Sequence, residues 1–264
     1  MENYLIAALL GIIEGLTEFL PVSSTGHLIL FVDLLGFKGP PGRTFEVMIQ
    51  LGAILALIVL YFRKLWFTLV GLPVDPAARR FAMAVLVAFL PAMILGAAFH
   101  GTIKGVLFSP TVVAAALIIG GFVILAVERM QKTVLYPTVD DVPVRTALYV
   151  GIAQTMALIP GVSRSGATII GGLLLGLDRR AAAEFSFFLS IPTMAAAFVY
   201  DAYKNYASFS FDDAGLIATG FVSAFIAALL VVKPFLAIVS RIGFAPFAYY
   251  RIVIGLVVLG LLYL

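Results

Sequence analysis

The sequence predicts an all-α polytopic membrane protein built as an inverted-topology repeat, with six full transmembrane helices and two re-entrant helix–loop–helix hairpins. Three observations lead there. Hydrophobic residues make up 62% of the 264 and charged residues 12%, against roughly 45–50% and about 25% in soluble domains, so a water-soluble globule could not hide this much apolar surface. Six apolar runs, at residues 45–62, 81–99, 111–127, 184–200, 214–232 and 247–264, have about the length a helix needs to cross roughly 30 Å of hydrocarbon. The third observation is a repeat: GIIEGLTEFLPVSSTGHLIL at 11–30 matches GIAQTMALIPGVSRSGATII at 151–170 without a gap, at a constant offset of 140.

Each repeated stretch runs from an apolar segment carrying polar groups, through a Pro/Gly break, into a Ser/Thr/Gly cluster. The segments that follow, Leu28–Phe37 and Ile169–Leu177, hold nine or ten residues. At about 1.5 Å per residue they reach roughly 15 Å, enough to enter a membrane but not to cross it. Pairing them with residues 4–20 and 145–159 gives two re-entrant hairpins, whose loops must be buried in protein or face a wet cavity. One hairpin plus three crossings per half makes the second half, 141–264, enter from the opposite face to the first, 1–132, within one integral membrane domain spanning 1–264.

This layout places Arg63, Lys64, Arg79, Arg80, Arg129, Lys132, Arg145, Arg179, Arg180, Lys233 and Arg241 on one side, and Lys38, Arg43, Lys104 and Lys204 on the other. Eleven against four assigns the first side to the cytoplasm. Loops at 63–80, 128–144 and 233–246 are then cytoplasmic. Both termini, the loops near 100–110 and 201–213, and the mouth of the active site are then extracytoplasmic. Arg164 and Arg251 fall within membrane segments, Arg251 as a structural or interfacial group; His100 is expected at a membrane surface. Glu2, Glu14 and Glu18 in the first segment argue against a cleavable signal. The absence of cysteine excludes disulfides and thiolate metal sites. The net charge of +3 is scattered rather than clustered, which argues against nucleic acid as a partner.

Glu14 and Glu18, spaced i, i+4, share one helix face. Intramembrane acids mark ion or substrate paths, and hard oxygen ligands suit a divalent cation, Mg²⁺ or Ca²⁺; a protonated pair packed for structure is the bland alternative. Beyond Pro21, Ser23, Ser24, Thr25 and Gly26 open the second half-helix. Ser23 reads equally as an N-cap and as a substrate contact. Ser24 and His27 stand i, i+3, a spacing that lets an imidazole activate a hydroxyl nucleophile; a structural histidine is the other reading. Attack by His27 itself or by water stays open. In the second loop, Ser163, Arg164, Ser165 and Gly166 form another helix start that favours an anion. Arg164 adds a planar fork for phosphate oxygens, or else locks onto Glu14 or Glu18. The halves diverge here: Glu14 aligns with Gln154, Glu18 with Leu158, Ser24 with Arg164, His27 with Ala167. Glu46/Ser186 and Gln50/Ser190 also align, and read equally as polar faces supporting the loops and as simple interhelical hydrogen bonding.

EGLTEFLPVSSTGH at 14–27 and PGVSRSG at 160–166 resemble the two signature motifs of the bacterial undecaprenyl-diphosphate phosphatase family of the bacitracin-resistance type. TFEVMIQLG at 44–52 and EFSFFLSIP at 184–192 match as well, so the likeness covers essentially the whole chain. The resemblance implies divalent-cation-dependent hydrolysis of a C55 isoprenyl diphosphate to its monophosphate, recycling the lipid carrier for peptidoglycan synthesis. It also implies that Glu14, Glu18, Ser24, His27 and Arg164 carry the chemistry. Undecaprenyl diphosphate and membrane lipid are the expected partners, with a homodimer left open. SSTGH and SRSG echo the type-2 phosphatidic acid phosphatases, but that family's histidine and aspartate positions hold Ile170 and Leu174. The runner-up from another class is a lipid-carrier flippase or ion-coupled transporter, whose broken-helix repeats look alike.

Overall fold

A computed structural model describes residues 1–37, 39, 44–106, 109–130, 133–205 and 213–263, without the side chains of 33, 100–106, 201, 204 and 205. Lys38, Arg43, Lys132 and the side chains of His100, Lys104 and Lys204 lie outside this description. Among the described residues there are eleven α-helices and no strand. They are α1 (Glu2–Thr17), α2 (Ser24–Leu34), α3 (Thr44–Leu60), α4 (Phe62–Gly71), α5 (Pro76–Val106), α6 (Pro110–Arg129), α7 (Val144–Gln154), α8 (Arg164–Leu174), α9 (Arg179–Asn205), α10 (Ala214–Ile242) and α11 (Ala245–Tyr263). Helices α5, α6, α9, α10 and α11 are long and apolar enough to cross a membrane, and α3 with the bent α4 makes a sixth candidate.

The short helices obey the repeat closely. At the offset of 140 the bounds of α2 coincide with those of α8, and α7 with its 3-10 continuation Thr155–Leu158 stands where α1 does. Both short helices end alike. Gly36 and Gly176 take φ of 58° and 92°, and the next amide closes back onto the helix: Phe37 N–H to Val32 O at 3.1 Å and Leu177 N–H to Gly172 O at 3.0 Å. This is the left-handed glycine stop that satisfies orphan carbonyls.

The two halves interlock rather than stand side by side. α1 packs on α10 of the second half, and its counterpart α7 packs on α5 of the first, while α6 pairs with α11. In lipid there is no hydrophobic force between helices, so close backbone approach by small residues has to supply the packing. Gly11 lies so near Gly220 O that a Cβ would come within 2.2 Å, and its counterpart Gly151 meets Ala88 O at the same distance. Between the interlocked helices sits a core rich in phenylalanine, including edge-on pairs Phe19–Phe187 at 5.4 Å and Phe81–Phe188 at 5.0 Å. Many leucines, isoleucines and valines remain exposed, as lipid for a solvent allows.

The connectors depart from expectation. Residues 62–71 form α4, bent 73° from α3, with Phe62, Trp66, Phe67, Leu69 and Val70 exposed. Helix α10 continues through the expected loop to Ile242, because Val232, Phe235, Leu236 and Val239 give it a buried stripe at helical spacing. α5 likewise runs on to Val106 and α9 to Asn205. The connectors expected on one side do share one end of the molecule: Lys64 pairs with Asp140, Arg179 grips Glu128 through two bonds of 3.1 and 3.2 Å, and Gly243 abuts Glu128.

Candidate active site

The two hairpin tips are built the same way. Ser23 and Ser163 are the only non-glycine residues with positive φ among those described, at 70° and 79°. Each caps its short helix, Ser23 Oγ accepting from Gly26 N–H at 3.3 Å and Ser163 Oγ from Gly166 N–H at 3.0 Å. A left-handed serine costs about 1–3 kcal/mol, and such strain concentrates at ligand clamps. Gly26 and Gly166 spend their amides on these caps. A Cβ at Gly166 would come 3.1 Å from Arg251 Nη1, so their place is in the loop framework.

Glu18, the first residue past α1, joins the two tips. Its Oε2 accepts the Ser24 hydroxyl at 2.5 Å and its Oε1 accepts Arg164 Nη2 at 3.0 Å. The other arm of Arg164 donates to Ser186 O at 2.8 Å and Ser186 Oγ at 3.1 Å. The fork is therefore engaged within the protein, and Nε is the guanidinium atom left without a partner. Ser165 bonds Leu20 O at 2.6 Å and ties the second tip to the first.

Arg251, fully buried on α11, is a larger element of this site than an interfacial group. Its guanidinium donates to five backbone carbonyls: Pro21 and Val162 at 3.0 and 2.9 Å, Gly161 and Ala116 at 3.0 Å, and Leu117 at 3.3 Å. Irregular backbone at membrane depth leaves carbonyls that must find donors. One arginine supplies them to both tips and to α6. That an intramembrane cation demands a partner was legible in the sequence; that the partners are carbonyls of both loops was not.

His27 and Ser24 do lie on one face of α2, but they are not bonded to each other. His27 Nδ1 donates to Ser23 O at 2.8 Å and its Nε2 accepts the Tyr250 hydroxyl at 2.7 Å, with the two rings parallel at 5.6 Å. Ser24 instead turns to a carboxylate, and a charged acceptor outcompetes a neutral imidazole. Tyr250 was not foreseen, having no motif around it. Glu14 is fully buried; Glu18, Glu46 and Arg164 are its charged neighbours, and neither of its oxygens has a hydrogen bond of good geometry.

A cavity of about 500 Å³ opens beside the tips, within the range of small-molecule sites. Of the residues expected to act, Glu18, Ser23, Ser24, Thr25, Ser163 and Arg164 form its polar wall. Glu14, Gly26, His27, Ser165 and Gly166 are buried and do not line the cavity. Phe89, Met93, Gly96 and Ala97 of α5 and Met194 and Ala197 of α9 add an apolar lining, beside Thr193 and Tyr200 of α9.

For a divalent cation the donor chemistry fits. Mg²⁺ is typically held by one or two carboxylates plus substrate phosphates rather than by an all-protein cage. Neither Glu14 oxygen has a hydrogen bond of good geometry, and Glu18, one turn on, already accepts from Ser24 and Arg164; among the described residues no three of His, Cys, Asp and Glu form a ready-made metal cage.

Comparison with known proteins gives the chain its relatives. Residues 7–257 match the model of the family described as bacitracin resistance protein BacA. An undecaprenyl-diphosphatase of Caulobacter vibrioides is 55% identical over 265 residues, covering 100% of this chain and 99% of its own. Undecaprenyl-diphosphatase 2 of Paramagnetospirillum magneticum is 56% identical, covering 94% and 95%, and undecaprenyl-diphosphatase 1 of Agrobacterium fabrum 57%, covering 96% and 95%. With the match running from the first hairpin through the last helix, the chain belongs to the bacitracin resistance protein BacA family.

Proposed function

We infer that this chain hydrolyses undecaprenyl diphosphate to undecaprenyl phosphate and inorganic phosphate, recycling the lipid carrier of peptidoglycan synthesis. One observation carries the reading: Glu18 holds Ser24 and Arg164 together on the wall of a cavity whose lining from α5 and α9 is mostly apolar. A nucleophile, an acceptor for its proton and a cation for the phosphate are what phosphoryl transfer requires. The flippase or transporter reading shares the architecture, but relatives about as long and over half identical carry the diphosphatase name.

In the mechanism we favour, the head group lies against the polar wall and the tail follows the apolar side between α5 and α9 into lipid. Arg164, whose Nε–H is buried and unpartnered, and the first two amides of each of α2 and α8, which have no intrahelical acceptors, are the donors for the diphosphate. Ser24 Oγ attacks the terminal phosphorus as its proton passes to Glu18, and the bond from that phosphorus to the bridging oxygen breaks, releasing undecaprenyl phosphate. Water then attacks the phosphoserine while Glu18 returns the proton to Ser24 Oγ, and inorganic phosphate leaves. Glu18 replaces His27 as the proton acceptor for Ser24, because only Glu18 is bonded to that hydroxyl. His27, by holding Ser23 O, positions the strained cap. A divalent cation held by Glu14 and Glu18 would neutralise diphosphate charge when bound. The basic bias of the connectors supports external termini and an externally facing mouth.

Release of phosphate from undecaprenyl diphosphate by purified protein in detergent tests the activity, and trapping a phosphoryl-enzyme tests the route. Label on Ser24 is expected. Label on His27, or none in a sensitive trap, would reject the serine route.

A further inference from the structure

Gln154 is the last residue of α7 and stands, at the offset of 140, where Glu14 stands in α1. It is 1% exposed and lines the cavity beside Ser163 and Arg164, and neither of its amide atoms has a hydrogen-bond partner among the described residues. Of the polar side chains that line the cavity with it, Glu18 is committed to Ser24 and Arg164 and Ser163 to the cap of α8, while Arg164 keeps only its Nε unpartnered. Buried polar groups are nearly always bonded, and one that is not asks for a reason. An amide supplies two donors and carries no charge. In the half of the site that holds Arg164 and a helix start, it can meet an anion that a carboxylate at the same place would repel. The two repeats thus put a carboxylate and an amide at one structural position.

We propose that Gln154 is a substrate-binding residue, whose side-chain N–H groups donate to a non-bridging oxygen of the diphosphate head group. The assignment rests on the diphosphatase reading. It explains why a buried amide is kept without a protein partner, and it places one ligand contact on each arm of the second hairpin, Gln154 before the loop and Arg164 after it.

The test compares wild type with Gln154→Met and Gln154→Glu, measuring kcat and KM for undecaprenyl diphosphate together with thermal unfolding in detergent. Methionine keeps the length and removes the hydrogen bonds. Since no protein bond is lost, the unfolding midpoint should stay or rise, while kcat/KM falls roughly ten- to a hundredfold, chiefly through KM. Glutamate adds a charge facing the anion and should lower kcat/KM further. Wild-type kcat/KM in Gln154→Met would overturn the assignment, as would a fall in midpoint that accounts for the lost activity. Were the methionine variant not to fold, near wild-type kcat/KM in Gln154→Glu would overturn it. A wild-type protein that releases no phosphate would overturn the diphosphatase reading itself and this assignment with it, whereas an active wild type with an unaffected methionine variant overturns the assignment alone.

Discussion

Glu18→Gln separates catalysis from architecture. The carboxylate faces Arg164 with one oxygen and Ser24 with the other, whereas an amide offers one oxygen and one NH₂. The oxygen must turn to Arg164, which only donates, so the NH₂ meets Ser24 Oγ and the serine has to accept where it formerly donated. Its proton then has no acceptor. Removing a positioned base costs roughly 10²–10⁴ in rate, equivalent to about 3–6 kcal/mol of barrier at about 1.4 kcal/mol per decade. Deleting one partner of a buried ion pair costs about 3–5 kcal/mol of stability. Here the amide still accepts from Nη2 and Ser186 still holds Nη1, so the loss should be nearer 1–2 kcal/mol, the scale of a weakened charged hydrogen bond. The catalytic effect therefore dominates: phosphate release should fall by at least about a hundredfold in a protein whose thermal unfolding shifts only modestly. A folded Glu18→Gln protein with kcat within about threefold of wild type would refute the proton route and return the base role to another group.

Arg251→Lys replaces five donors with three, leaving at least two of its carbonyls unpaired, for a cost of roughly 2–6 kcal/mol by soluble-protein values and toward the low end in a membrane; an unchanged unfolding midpoint would show that the carbonyl net is not needed. Arg164→Lys keeps the charge but cannot span Glu18 and Ser186 together, so kcat/KM should fall by about tenfold or more in folded protein; wild-type hydrolysis would remove the guanidinium geometry from the mechanism. Tyr250→Phe strips the donor from His27 Nε2 and should cost about 1–2 kcal/mol of stability with a much smaller loss of kcat than Glu18→Gln; an equally deep loss would put the His27–Tyr250 pair on the proton route. In this cysteine-free chain, Tyr203→Cys but not Ala77→Cys should react with an impermeant thiol reagent on intact cells, and the reverse pattern would invert the proposed orientation.

The helical layout and the repeat were legible because they depend on local quantities. Run length against bilayer thickness marks the crossings, and a Pro/Gly break before hydroxyls marks each tip. Even the register was readable, since α2 and α8 share their bounds at the offset seen in the sequence. Helix continuation past the hydrophobic run was less legible: α10 persists to Ile242 because neighbours cover its stripe. The partners within the site were beyond sequence reasoning. Spacing placed Ser24 and His27 on one face, yet the hydroxyl found Glu18, which the loop folds back beside it. Arg251 reaches Pro21 across 230 positions, and Arg164 reaches Glu18 across 146. Periodicity within a helix sets which side chains share a face. Which group each of them meets across the loop depends on how the interlocked halves pack, and on which acceptor, charged or neutral, that packing brings within hydrogen-bond reach.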